Sequence, residues 1–326
     1  MVLRPICLTL LLLVHAISSC NAQRTLPRQA PARRSGSGSG SSNKKVPPEG
    51  YYNPTSNGGS MLTFVPVTYP MGQGEPINAI ISGSSDARVL VQSEDNGGLL
   101  NYFLYVNSVN ATALSFGFSG ECLGQHSGSD QGANLGDGHG TLNETAVIRW
   151  NYGDPQLGSC TETIQGGNHF RYWVQNGPEA NSGAIFMAVS YEMPLKFNHD
   201  IISNGYNLGR DWLIGNITQS AIPTLNLTNG TTYSAKTSFA SYTYETQIQY
   251  LSGLLANTND GINHNITVGG QNFNSSDGLV AVLQVSIVDA PKSSSWRPSP
   301  PPLYSLSTLF LVLFLTCGTS SLFNFP

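Results

Sequence analysis

The sequence predicts a single α+β domain with a mixed, mainly antiparallel β-sheet and a few helices, flanked by disordered linkers. Three observations predict it. Segments rich in aromatic and β-branched residues, bounded by Gly, Pro or Asn, recur between residues 61 and 288. Helical spacing with start signals falls between some of them. The stretch between the two apolar ends of the 326-residue chain suits one domain of generous size.

Taken in order, Met61–Tyr69 and Ile77–Ser82 read as strands and Leu99–Val106 as a helix. Gly120–Gly140 is Gly-rich with Asp and His, and a loop of that length in a compact domain is either functional or disordered. Thr141 with Glu144 forms a capping box, which predicts a helix over Ala146–Trp150. His169–Gln175 and Ala184–Tyr191 follow as strands, and Asn207–Ile217 has the apolar spacing of a helix. In Phe239–Tyr250, Tyr242, Tyr244, Thr246, Ile248 and Tyr250 alternate with polar residues, which predicts a sheet with one solvated face. Leu279–Val288 is more continuously apolar and reads as a central strand. No internal repeat is visible.

The two ends read as addresses. Arg4, an apolar run from Ile6 to Val14 and Cys20-Asn21-Ala22 have the layout of a secretory signal over residues 1–22, cleaved after Ala22. Residues 23–48 form a basic linker, with six Lys or Arg and no acid. The ectodomain is expected over residues 49–292. At the other end Ser293-Ser294-Ser295 is a small triplet with Ser293 as the lipid-attachment residue, residues 293–302 include a Pro-rich spacer, and residues 303–326 carry an apolar tail. That order is a GPI attachment signal. The alternative is a transmembrane helix, although the run Leu303–Leu315 is short of the roughly 20 apolar residues a span needs.

Composition agrees with an extracellular setting. Charged residues are 10% of the chain, against roughly 25% in an average soluble domain. Sequons stand at Asn110, Asn143, Asn216, Asn226, Asn229, Asn265 and Asn274, each a candidate for N-glycosylation in the secretory pathway. Once the ends are removed only Cys122 and Cys160 remain, and in an oxidising compartment they are expected to pair. Residues 49–292 hold 7 basic and 19 acidic residues, a formal −12, which excludes nucleic acid as a natural partner.

Candidate chemistry comes from polar residues inside the predicted strands. His169, Arg171 and Trp173 alternate and share one strand face, with His199-Asp200 after the next strand and Arg210-Asp211 at a helix start. Such a cluster can bind a metal, hold an anion or work as acid and base; the alternative is a polar lock. A weaker metal candidate is Asp137-Gly-His139 with His126 and Glu121 upstream. The chain lacks Gly-x-Ser-x-Gly, His-Glu-x-x-His, a P-loop and a dinucleotide fingerprint, so no cofactor is expected.

The blocks Glu75–Gly83, Gly166–Trp173 and His199-Asp200 with Gly205–Asp211 resemble a group of uncharacterised secreted proteins from mushroom-forming fungi. More faintly, the same residues are similar to the LssY C-terminal domain family. The resemblance spans Glu75 to Ile214 and implies one domain in an extracellular fungal setting, with no catalytic residue carried over. The adjacent histidines usual in the LssY C-terminal domain are replaced here by Asn168-His169 and His199-Asp200.

The expectation is therefore a secreted, surface-anchored glycoprotein without enzymatic activity. It is held to the membrane by its C-terminal lipid or helix and binds wall polysaccharide, with Tyr172, Trp150 and Trp212 as rings on which sugars can stack. The rival is a secreted hydrolase or metal-dependent enzyme using His169, His199 and Asp200.

Overall fold

Val, Ile, Phe and Tyr alternating through the middle of the chain build one eight-stranded sheet. In the computed structural model its order is β2-β5-β6-β7-β1-β10-β9-β8. Its strands are β1 (Ala79–Ile81), β2 (Phe118–Gly120), β5 (Ala146–Trp150), β6 (Gly167–Val174), β7 (Ile185–Glu192), β8 (Thr232–Phe239), β9 (Tyr242–Thr258) and β10 (Ser276–Asp289). A separate hairpin pairs β3 (Gly132–Asn134) with β4 (Thr141–Asn143). Only β1 and β10 run parallel; the other neighbours are antiparallel, so the sheet is mixed and mainly antiparallel. Four helices accompany it among the described residues: α1 (Leu99–Phe103), α2 (Gly158–Gln165), α3 (Gly205–Thr218) and α4 (Asn265–Val268). The class is α+β.

The described residues are 45–104, 117–126 and 128–291. Those up to Asp289 belong to one unit; residues 290–326 form a second, of which only Ala290 and Pro291 are described. The expected signal, most of the linker, Asn110, Ser293 and the apolar tail lie outside the described residues. Among the described residues no helix is long and apolar enough to cross a membrane.

One face of the sheet is apolar and aromatic. Phe170, Tyr172, Met187, Val189, Ala281, Leu283, Ile248 and Tyr250 lie on it, covered by α1 through Tyr102 and Phe103 and by α3 through Leu213, Ile214 and Ile217. Burying each of those three helix residues stabilises the fold by roughly 1.5–3 kcal/mol. Helix α3 lies very close to the sheet because Gly209 has no side chain: a Cβ there would stand 2.5 Å from the carbonyl carbon of Ser190. Asn168 Nδ2 then donates to the Gly209 carbonyl at 2.8 Å. The opposite face carries Ile80, Phe186, Trp173 and Val280 under Tyr51, Met61, Ala133 and Leu135.

Several expected elements are corrected. Ala146–Trp150 is strand β5 and not a helix, because Val147 and Ile148 are β-branched and both neighbouring strands are present. The expected capping box does not form: the Glu144 carboxylate accepts from the Gln131 amide and from Arg171 instead. Met61–Tyr69 contributes only isolated bridges, Leu62 to Pro76 and Phe64 to Gly132, since Pro66 has no amide to continue a ladder. The Gly-rich segment holds β3 and a 3-10 turn at Cys122–Gly124. Within Phe239–Tyr250 a tight turn at Ala240-Ser241, both with positive φ, joins β8 to β9. The alternation there is as expected, with Tyr244, Thr246, Ile248 and Tyr250 buried and Gln247 and Gln249 exposed. Strand β10 is interior, between β1 and β9.

Cys122 and Cys160 form a disulfide across a sequence separation of 38. It joins the 3-10 turn to α2, a helix of 8 residues too short to hold its place by propensity alone. Gly158 admits that helix, because a Cβ there would stand 1.4 Å from the Asn151 carbonyl oxygen. A Cys122→Ser/Cys160→Ser variant is expected to lose about 4 kcal/mol of stability in the chain-entropy picture, read as a lower urea midpoint.

Candidate functional site

Strands β5, β6 and β7 set Arg149, His169 and Ser190 side by side on the second face of the sheet, by direct register. Two residues further along β7, Glu192 projects from the same face. Helix α2 closes over them with Glu162, and the turn after β7 brings in His199, where Asn198 and His199 both have positive φ. The result is a cluster of charged groups whose centre is Glu192. Its Oε1 stands 3.5 Å from His169 Nε2, and its Oε2 is 3.3 Å from His199 Nδ1 and 3.8 Å from an Arg149 nitrogen. Arg149 also donates to Glu162 Oε2 at 2.8 Å and lies 3.8 Å from Glu121.

Burial separates the titration of these groups. His169 is 2% exposed, and burial pushes its imidazole down to about 3 against the pull of Glu192. Burial likewise pushes the Glu162 carboxyl up to about 7, more than Arg149 offsets. For Glu192 burial acts upward, yet the two imidazoles and Arg149 outweigh it and hold the carboxyl down at about 2. His199 is less enclosed, and its contact with Glu192 raises its pKa. Glu192 thus stays a carboxylate at neutral pH, His169 stays neutral, and His199 is the imidazole that takes a proton.

The other expected members of the cluster lie elsewhere. Arg171 is on the same face as His169 but pairs with Glu144. Asp200 turns to His264, 2.7 Å away, and accepts from Thr267. Arg210 and Asp211 lie under the opposite face. There the Arg210 guanidinium, fully buried, uses all five of its N–H donors: two to Asp211, two to Asp277 and one to the Leu279 carbonyl, at 2.7–3.0 Å. Tyr250 donates to Asp211 and its ring faces the guanidinium at 5.1 Å. Burial opposes the charge on Arg210, and Asp211 with Asp277 more than compensates, raising its pKa. Arg210 and Asp211 therefore form a polar lock, separate from the two histidines.

The weaker metal candidate also divides. His126 pairs with Glu121 at 2.8 Å and Asp130 at 3.1 Å, while Asp137 faces His139 at 3.6 Å. Asp137 is buried and ties loops together, accepting from the backbone of His139 and Asn176.

A groove of about 630 Å³ opens beside α3. Its aromatic wall is Trp150, Trp212 and Tyr191: Trp212 stands edge-to-face on Trp150 with centroids 4.6 Å apart, and Tyr191 meets Trp212 at 6.0 Å. Asn216, Gln219, Ser220 and Thr224 supply polar groups, and the lining carboxylate, Asp211, is taken up by Arg210 and Tyr250. Tyr172, which was expected to present its ring to sugars, is 2% exposed and packs in the core instead.

Of the sequon residues, Asn143, Asn226 and Asn229 are exposed, and Asn216, Asn265 and Asn274 are half-buried. Asn274 donates to Asn257, and the Asn216 amide nitrogen is buried without a hydrogen-bond partner among the described residues.

Glu162, Glu192 and Arg149 were not anticipated as site residues. Their signal was present: in a chain with only 10% charged residues, a charge inside a strand such as β5 or β7 is unusual. No protein-family model, no curated protein and no solved structure matches this chain.

Proposed function

We propose that this chain is a secreted, N-glycosylated glycoprotein, anchored at the cell surface by its C-terminal tail, that binds neutral polysaccharide of the wall without transforming it. The observation that carries the binding reading is the groove lined by Trp150, Tyr191 and Trp212. Sugar rings present C–H faces that stack on aromatic side chains and hydroxyls that pair with amides and hydroxyls, and the groove offers both. Its carboxylate is already neutralised by Arg210, which favours an uncharged ligand. The seven sequons, the pairing of Cys122 with Cys160 and the resemblance to secreted fungal proteins agree with an extracellular setting.

The hydrolase alternative asks His169, His199 and Asp200 to face one opening. His169 is 2% exposed and Asp200 pairs with His264, so the binding reading is preferred.

Trp212→Ala is expected to weaken binding to a neutral wall oligosaccharide by at least about tenfold, as for an aromatic hot spot. Calorimetry on the secreted chain with its N-glycans removed checks this; deglycosylation matters because Asn216 lines the groove. Absence of binding to every neutral glycan tested, or affinity unchanged by Trp212→Ala, sinks the proposal.

A further inference from the structure

We infer that the cluster on the second face of the sheet is a divalent-metal site, with Glu162, His169 and Glu192 as ligands and His199 completing the set. Ligand atoms of the first three lie within 4.8 Å of one another. Donors around a tetrahedral zinc ion with bonds of 2.0–2.1 Å stand about 3.3 Å apart, so closure takes side-chain adjustments on the order of one ångström. One imidazole or two with two carboxylates is a donor set for borderline transition ions, zinc foremost, more than for calcium.

A further observation points to a cation. Glu162 Oε1 is a buried polar atom without a hydrogen-bond partner among the described residues, on a side chain 0% exposed. Such an atom is costly unless something satisfies it. Arg149 does not block the site, because it holds Glu162 by Oε2 and leaves Oε1 to the ion, the role of an outer-shell partner. His199, with 24% of its side chain exposed, lies at the solvent side and gives the ion its way in.

This inference is independent of carbohydrate binding in the groove. It is tested on the full secreted chain, stripped with EDTA and titrated with zinc chloride by calorimetry, with metal content measured directly. One ion per chain is expected, with affinity lowered at least about tenfold in Glu162→Gln and in His199→Ala. The half-exposed position of His199 keeps the second variant informative if Glu162→Gln does not fold. His126→Ala probes the second group, His126, Asp130 and Glu144, whose ligand atoms are also close together, and should leave binding unchanged. No zinc binding, or binding abolished by His126→Ala and untouched by His199→Ala, overturns the inference.

Discussion

Arg210→Met is expected to destabilise the domain by about 3–5 kcal/mol, because it strands two carboxylates that were paired with a buried charge. Asp211 is 2% exposed, and Asp277, partly exposed, would face it with no cation between them. For a domain of this size the loss corresponds to a fall in Tm of roughly 6–20 °C. Arg210→Lys should recover little: an ammonium has three donors on a flexible stem and cannot reproduce the fork that meets Asp211, Asp277 and the Leu279 carbonyl together. Neutralising the partners as well, in Arg210→Met/Asp211→Asn/Asp277→Asn, should return part of the stability. A Tm for Arg210→Met within about 2 °C of the parent would mean that the lock contributes no stability.

The second large effect is an acid transition with a defined break, measured with EDTA present so that protons alone titrate the cluster. His169 is lowered from 6.5 to about 3, so its contribution is present above pH 6.5 and is lost as pH falls from there through 3. Glu192, lowered from 4.5 to about 2, loses its contribution between pH 4.5 and 2. Glu162 has the opposite sign: raised from 4.5 to about 7, it favours the folded chain below pH 4.5 and ceases to as pH rises through 7. His199, raised above 6.5, likewise contributes below that pH and loses its effect above it. Between pH 4.5 and 6.5 His169 and Glu162 therefore cancel, and the part of the profile due to these groups is flat. From pH 4.5 to 3, His169 and Glu192 act together, with a slope of about 3 kcal/mol per pH unit for two protons. His169→Gln should lower that slope by at least half, because it also removes one of the groups that hold Glu192 down. A Tm-against-pH curve without a break near 4.5, or with the same slope in His169→Gln, would show that these groups do not govern acid unfolding.

The sheet was legible where burial is one-sided or complete. The alternation in Phe239–Tyr250 is the direct consequence of a strand with one solvated face and the apolar run in Leu279–Val288 that of an interior strand, and α3 kept its predicted span to within two residues at its start and one at its end. The failures have local causes. Ala146–Trp150 is five residues long, too short for its periodicity to separate strand from helix, and the capping box was decided by Arg171, a partner distant in sequence. The candidate site divided for a similar reason. His169 and Arg210 are both polar residues in apolar segments, but only pairing and helix packing determine that one belongs above the sheet and the other below it. Glu162 came from α2, for which the sequence carries no strong start signal: its N-cap is Leu157, without a side-chain cap.

Cys160 and Glu162 are two residues apart on the same short helix, one covalently held by Cys122 and the other ion-paired with Arg149. The crosslink therefore acts as a clamp on the helix that sets Glu162 beside Arg149 and His169. Cutting it with a reductant would free the helix to swing outward and take Glu162 from its guanidinium, letting water reach His169. Thiol oxidation thus helps to hold the charged interior together, and a reduced chain would hydrate first at the end of the second face where Arg149 meets Glu162.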